Sequence, residues 1–181
     1  MKNIPKKFVW FICLMPTLLG FDFWTKEVVN ARILPGEEVT VFQGLLSFVH
    51  AENPFVAFSM PVPMWMSVSF AIVATVILTH MLWNLPNQAR LPAISIALMT
   101  AGALGNLVDR LMDGSVTDFI RVYTDHPSLA PQLIETFGTA TWPIFNIADM
   151  ALFFGVVLFM IGSMFDPKEV ELTVPADVKQ P

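Results

Sequence analysis

Four long apolar runs alternate with polar segments along this chain. The runs cover residues 8–23, 64–83, 91–108 and 144–165. The second run holds no Asp, Glu, Lys or Arg over its full length. About twenty apolar residues in a helix cross the roughly 30 Å of hydrocarbon in a bilayer. The pattern therefore predicts four membrane-spanning helices, the second with Trp65 and Trp83 near its two interfaces.

The first run follows a lysine cluster, so it could be either a cleaved leader or a first transmembrane helix. No small-x-small cleavage site follows it, and residues 20–24 continue as Gly-Phe-Asp-Phe-Trp. A cleaved leader ordinarily ends at such a site. We therefore expect an uncleaved helix, kinked at Pro16, with its N-terminus in the cytoplasm.

The segment 27–63, between the first and second runs, differs in character. Pro35-Gly36 favours a turn, and residues 39–42 and 45–49 are typical of short strands. A sheet of this size is not stable alone, so we expect it to lie on the membrane surface over the helix ends. The predicted fold class is a mainly α membrane protein with four transmembrane helices and a small extracytoplasmic β subdomain between helices 1 and 2.

Composition supports a membrane protein and excludes several other classes. Hydrophobic residues make up 55% of the chain, charged residues 14%, and the mean hydropathy is +0.62, which leaves too little charge for an ordinary soluble domain. The net charge of -5 gives no basis for nucleic-acid binding. The single cysteine, Cys13, excludes a disulfide within the chain. Asp125, His126 and Glu135 lack the spacing of a ligand set, so we predict no metal and no cofactor.

The distribution of basic residues predicts the orientation in the membrane. One end of the predicted bundle receives Lys2, Lys6, Lys7, Arg90, Lys168 and Lys179, and the other receives Lys26, Arg32, Arg110 and Arg121. Six basic residues against four favour both termini in the cytoplasm. The membrane domain then covers residues 1–165. The acidic tail 166–181 has no apolar periodicity, and we expect it to be disordered on the cytoplasmic side.

Two carboxylates, Asp118 and Asp149, stand at the edges of apolar segments. A carboxylate is costly within a membrane and is therefore a candidate for function. If the two segments are neighbours, the carboxyl groups can meet at one depth and share a proton. One would then act as general base to a water molecule and the other as general acid.

Other charged residues near these segments have ordinary structural roles open to them. Asp22 and Lys26 lie four positions apart and can form a pair on one helix face. Asp109 and Arg110 can form an ion pair at the membrane interface. A lone histidine in a strand, such as His50, is more often a packed or exposed polar residue than a catalyst.

Four short motifs resemble those of lipoprotein signal peptidase, the bacterial signal peptidase II family of aspartic membrane endopeptidases. They are GALGNLVDRLMDGSVTDFI at 102–120, FNIAD at 145–149, DFWTK at 22–26 and NPFVAF at 53–58. They occur in order, at the ends of apolar segments, over nearly the whole chain. The resemblance implies that Asp118 and Asp149 are catalytic. It also implies supporting or substrate-binding roles for Asp22, Lys26, Asn53, Asn106, Asp109, Arg110 and Asn146.

The same resemblance implies a function and a setting. Members remove the signal peptide from diacylglyceryl-modified prolipoproteins and cut on the amino side of the lipidated cysteine. We therefore expect a multi-pass protein of the bacterial inner membrane, with its active site at the extracytoplasmic face and no cofactor. Its expected partners are lipid-modified prolipoproteins and membrane lipid, without nucleic acid, and we expect a monomer.

Two other functions are open on the carboxylates alone. A small transporter or proton relay also uses membrane carboxylates, but it needs ionisable groups through the bilayer. The four runs hold no Asp, Glu, Lys or Arg at mid-depth. A catalytically idle relative would lack one catalytic aspartate, and both Asp118 and Asp149 are present.

Two departures from the family pattern concern the substrate. Pro54-Phe55-Val56 stands where the family has the glycine of its N-x-G-A-A-F element. The connection 123–142 is longer than in the family and contains Pro127, Pro131 and Gly138, which are expected to break any long helix. We predict that this connection is a mobile cover over the two aspartates.

Overall fold

The computed structural model describes residues 4–54 and 62–165. Within these residues the helices are α1 Lys6–Arg32, α2 Met64–Asn84, α3 Arg90–Met112, α4 Leu129–Phe137 and α5 Ile147–Phe165. The strands are β1 Glu38–Phe42, β2 Leu46–Asn53 and β3 Val116–Val122. Helices α1, α2, α3 and α5 are long and apolar enough to cross a membrane, which confirms the four predicted spans.

Helix α1 is longer than the apolar run that predicts it. It continues to Arg32, so residues 27–32 are helical rather than part of the β region that the sequence places from residue 27. No proline or glycine occurs between Lys26 and Pro35. Asp22 and Lys26 are only 1% and 3% exposed. Because Asp22 and Lys26 are buried between helices and do not face lipid, α1 can continue past the end of the apolar run.

The other span boundaries differ from the predictions by a few residues. Helix α3 continues to Met112, and α5 begins at Ile147, so Asn146 immediately precedes its helix. Two predictions fall outside the described residues. They are the Phe55-Val56 part of the departure after Asn53 and the cytoplasmic tail at 166–181.

Helix α3 is the centre of the bundle and packs against α1, α2 and α5. A side chain at Gly102 would collide with the carbonyl oxygen of Ala148 in α5, and one at Gly155 in α5 would lie 2.7 Å from Met99 Cγ. Small residues at these positions therefore permit the close contact of α3 with α5. The buried apolar core between α2 and α3 consists of Leu82, Ala93, Ile96 and Met99.

The three strands form one antiparallel sheet in the order β1-β2-β3. Strands β1 and β2 come from the segment between α1 and α2, whereas β3 follows α3 and carries Asp118. Val29 of α1 and Ile33, which directly follows α1, form a buried cluster with Phe119 of β3. This cluster fixes the sheet over the end of α1 and brings β3 back to the helices.

The connection between β3 and α5 contains a helix that its sequence does not predict. Helix α4 covers nine residues, Leu129–Phe137, and ends at Gly138, whose φ of +78° is left-handed. At the base of the connection, the Thr124 N–H donates to the carbonyl oxygen of Ala140 at 3.0 Å. The two arms of the connection are therefore joined, and α4 lies between them.

Candidate active site

Helix α5 begins with a reciprocal capping arrangement. Asn146 Oδ1 accepts the backbone N–H of Asp149 at 2.9 Å, and Asp149 Oδ2 accepts the backbone N–H of Asn146 at 3.2 Å. Such a capping box satisfies donors that a helix N-terminus otherwise leaves unpaired. It also holds Asp149 in the first turn of α5, where the helix dipole favours a negative charge.

Strand pairing places Asp118 beside Asn53. Asp118 of β3 lies opposite Ala51 of β2, so Asn53, two residues further along β2, is on the same face. Asn53 Nδ2 donates to Asp118 Oδ2 at 2.8 Å, and Asn146 Nδ2 donates to Asp118 Oδ1 at 2.8 Å. Asp118 is 3% exposed, so amide donors replace water at both of its oxygens.

Asn106 of α3 links the two aspartates from a third part of the fold. Its Nδ2 donates to Asp149 Oδ1 at 2.7 Å, and its Oδ1 accepts from Asn146 Nδ2 at 3.1 Å. Asn146 is completely buried and contacts Asp118, Asp149 and Asn106 at once. The two aspartates therefore belong to one hydrogen-bond network, although they lie on different elements.

A buried cluster of charges lies behind this network. Lys26 Nζ is 2.7 Å from Asp22 Oδ2, 2.7 Å from Asp109 Oδ2 and 3.3 Å from Asn106 Oδ1. An ammonium group between two carboxylates offsets part of the cost of burying each of them. Asp22 Oδ1 also accepts the backbone N–H of Ala148 at 2.9 Å. The cluster therefore joins α1, α3 and α5, and it is more than an exposed pair on one helix face.

A cavity of about 1030 Å³ opens beside both aspartates. Its polar end includes Asn53, Asn106, Arg110, Asp118 and Asp149. Its other walls are mostly apolar side chains of α2 and α5, among them Phe70, Ala71, Ala74, Met150, Phe153 and Phe154. The three phenylalanines are more than half exposed. The apolar end of the cavity therefore opens on the lipid-facing surface of the bundle.

The environment of Asp118 favours its protonated form. Burial raises the pKa of Asp118 to about 7. The hydrogen bond from Asn53 lowers this pKa, the charge of Asp149 raises it, and Lys26 and Asn146 lower it by smaller amounts. Near neutral pH, Asp118 therefore carries a proton in a large share of molecules. A protonated carboxyl group beside a second carboxylate is suited to donate that proton.

The structure brings all nine residues that the sequence singles out to one end of the bundle. They lie in the hydrogen-bond network, in the charge cluster or on the cavity wall: Asp22, Lys26, Asn53, Asn106, Asp109, Arg110, Asp118, Asn146 and Asp149. Arg110 Nη1 donates to the carbonyl oxygen of Asn106 at 3.0 Å. Among residues 4–54 and 62–165, no three His, Cys, Asp or Glu side chains are grouped to hold a metal ion.

Sequence reasoning misses two contributors. The contribution of the Ala148 backbone N–H cannot be predicted from the sequence, because the alanine side chain gives no indication of it. Glu52 on the cavity wall, which contacts Ser115 and His50, is an exposed acid without a motif. The Asn-x-x-Asp spacing of 146–149 does carry a signal, because it has the form of a capping box and predicts where α5 begins.

Four candidate membrane spans define a multi-pass membrane protein, and two aspartates joined by one hydrogen-bond network lie beside a cavity at one end of it. Paired carboxylates are the kind of group that aspartic hydrolases use. The family model described as signal peptidase (SPase) II matches residues 14–165. The chain therefore belongs to the signal peptidase II family, whose members are aspartic peptidases. This confirms the resemblance to that family on which the sequence analysis rests.

Individual relatives agree with the family match. The chain is similar to the lipoprotein signal peptidase of Deinococcus radiodurans, with 32% identity over 178 residues, 94% of this chain and 88% of that protein. It is 33% identical to the one from Chlorobium phaeovibrioides over 155 residues, 84% of this chain and 88% of that protein. A solved structure described as a bacterial membrane enzyme, determined by the in meso method, has a TM-score of 0.73 at 26% identity and covers 90% of this chain and 92% of that chain.

Proposed function

We propose that this enzyme removes the signal peptide from diacylglyceryl-modified prolipoproteins by cutting on the amino side of the lipidated cysteine, with Asp118 and Asp149 as the catalytic pair. One observation carries the assignment of the pair: both carboxyl groups bond to Asn146 and both line one cavity with an apolar end. The similarity to the lipoprotein signal peptidases of Deinococcus radiodurans and Chlorobium phaeovibrioides supports a lipoprotein substrate.

The two aspartates perform hydrolysis with one shared proton. Asp149 takes a proton from a water molecule as the water oxygen bonds to the scissile carbonyl carbon. Asp118 gives its proton to the carbonyl oxygen, and a tetrahedral diol forms. As the C–N bond breaks, Asp149 returns its proton to the leaving nitrogen and Asp118 takes one from a diol hydroxyl. The pair is thereby restored without a covalent intermediate.

The supporting residues divide into two groups by their contacts. Asn53, Asn106 and Asn146 donate to the carboxyl oxygens and orient them toward the cavity. Asp22, Lys26 and Asp109 hold the helices that carry these groups. Arg110, on the cavity wall, is placed to bind the substrate backbone.

The cavity suits a substrate that carries acyl chains. Its apolar walls come from α2 and α5, and the exposed Phe70, Phe153 and Phe154 stand where these walls meet lipid. A diacylglyceryl group would enter between α2 and α5 from the bilayer and place the adjoining peptide bond at the aspartates. We propose that the enzyme acts as a monomer.

We assign the aspartate end of the bundle to the extracytoplasmic face of the bacterial inner membrane, with both termini in the cytoplasm. Lys26 lies at the aspartate end but is 3% exposed and contacts two carboxylates, so it contributes little to the orienting charge. Lys6 and Arg90, at the opposite end, are exposed. Arg32 at the aspartate end is also exposed, so this orientation rests on the six-to-four count of basic residues along the whole chain.

The test is cleavage of a diacylglyceryl-modified prolipoprotein in detergent by Asp118→Asn and Asp149→Asn, with the new amino terminus identified by mass spectrometry. Asn keeps the shape of Asp but cannot exchange the proton, so we expect each variant to lose about 10²- to 10⁴-fold in rate. Asp113→Asn, at an exposed turn after α3, is the matched control. Near-normal cleavage by either dyad variant would show that its aspartate is not catalytic. Equal cleavage of an unlipidated substrate would exclude the proposed specificity.

A further inference from the structure

Helix α4 presents an apolar face that no residue of the described chain buries. With about 3.6 residues per turn, one side of the helix receives Leu129, Ala130, Leu133, Ile134 and Phe137, and the other receives Gln132, Glu135 and Thr136. No residue of α4 is buried, and Phe137, at the middle of the apolar side, is 73% exposed. A nine-residue helix is marginal in water by itself. Its apolar side therefore needs an apolar surface to stabilise it.

The tether of α4 places it beside the membrane. Trp142 lies five residues after Phe137 and five residues before Ile147, the first residue of the span α5. Five residues reach at most about 18 Å. Trp142 is 63% exposed and lines the cavity together with Phe153 and Phe154, which are exposed on α5. Since tryptophan favours the boundary between lipid and water, this arm holds α4 near that boundary.

We propose that α4 lies flat on the membrane surface at the active-site end of the bundle, with its apolar face in the boundary between headgroups and acyl chains. The exposed side chains of α5 already face lipid, and the apolar side of α4 continues that surface through Trp142. Helix α4 has no Lys or Arg, so its apolar area rather than anionic lipid holds it there. In this position, α4 keeps Trp142 at the cavity mouth, where a lipid-anchored substrate arrives.

The test measures the depth of each face of α4. In a Cys13→Ala background, which removes an exposed free thiol, Phe137→Cys and Glu135→Cys place a fluorophore on faces about 160° apart. The labelled proteins are reconstituted in phosphatidylcholine vesicles that contain lipids with a nitroxide near the headgroup. We expect quenching at position 137 to exceed that at position 135 by about threefold or more. The difference should not change when phosphatidylglycerol replaces part of the phosphatidylcholine.

Two results would overturn the proposal. Quenching of the probe at position 137 by aqueous iodide but not by lipid would place the apolar face in water. Protection from both quenchers would place it against the protein, as a cover over the aspartates requires. Ile134→Cys, on the same apolar face and 53% exposed, provides a second probe. The readout needs no cleavage, so it remains informative even if the catalytic assignment fails.

Discussion

Asn146 is completely buried and bonds to both aspartates, so two substitutions there can separate capping of α5 from orientation of Asp118. Asn146→Ser keeps an oxygen that can cap the helix, because serine is a favourable residue at this position. It removes the Nδ2 donor that bonds to Asp118. Asn146→Ala removes both the cap and the donor.

The contacts of Asn146 set the expected magnitudes. Asp118 is protonated when it acts as the acid, and a hydrogen bond between neutral groups contributes about 0.5–1.5 kcal/mol. Because about 1.4 kcal/mol corresponds to tenfold in rate, both variants should lose about 2- to 12-fold in kcat/KM. The lost cap should make Asn146→Ala less stable than Asn146→Ser by about 1 kcal/mol. The bond from Asn146 lowers the pKa of Asp118, so both variants should raise that pKa and shift the alkaline loss of activity to higher pH.

The assay follows initial rates of cleavage of a lipidated prolipoprotein between about pH 5 and 9, with thermal unfolding of the same detergent samples. Asp113→Asn serves again as the exposed control. Wild-type kcat/KM in Asn146→Ser would refute the orienting role of Nδ2. Equal unfolding temperatures of the serine and alanine variants would refute the capping role. A shift of the alkaline loss of activity to lower pH in these variants would refute the expected rise in the pKa of Asp118.

Three further perturbations test other contacts. Burial raises the pKa of Asp118 to about 7, so protonated Asp118 contributes fully to the stability of the fold at acid pH, and this contribution is lost as pH rises through about 7. Asp118→Asn should remove this pH dependence of the unfolding temperature. A wild-type unfolding temperature that does not change with pH would contradict the prediction. A Cβ at Gly105 would lie 2.6 Å from Asp22 Oδ2, so Gly105→Ala should lower the free energy of unfolding by about 1–3 kcal/mol and should lower activity. A Cβ at Gly20 has nothing within 4 Å, so Gly20→Ala should not destabilise the protein. Lys7 Nζ donates to two carbonyls at the end of α2 at 2.6 and 2.7 Å, so Lys7→Met should lower the unfolding temperature but leave kcat unchanged.

The spans could be predicted because each depends on a local property, the length of an apolar run. The gathering of polar residues at one end also follows from the sequence, since the motifs stand at the ends of those runs. Their choice of partners does not. Asn106 Oδ1 faces Lys26 and Asn146, and its Nδ2 faces Asp149. That choice depends on the rotation of each helix about its axis, which no local pattern specifies.

In helix α4, two residues that usually interrupt helices instead lie where they are compatible with one. Pro131 and Gly138 are helix breakers in general, and for this reason the sequence predicts no long helix in this connection. In the structure, Pro131 lies in the first turn of α4, where a missing N–H removes no helical hydrogen bond. Gly138 lies just after the last residue, where its left-handed φ ends the helix. The two residues therefore bound a short helix, and they exclude only a longer one.

Helix packing and the geometry of the candidate site depend on the same contacts. The absence of a side chain at Gly105 allows Asp22 to approach α3, and the other oxygen of Asp22 then accepts the N–H of Ala148, the residue before Asp149. The position of the first turn of α5 is thus set partly by a carboxylate from α1. An apolar side chain in place of Asp22 could fill the same volume, but it would offer no acceptor to that N–H and no charge to Lys26. The buried charges therefore fix three helices at the depth of the two aspartates, which an apolar core of equal volume would not do.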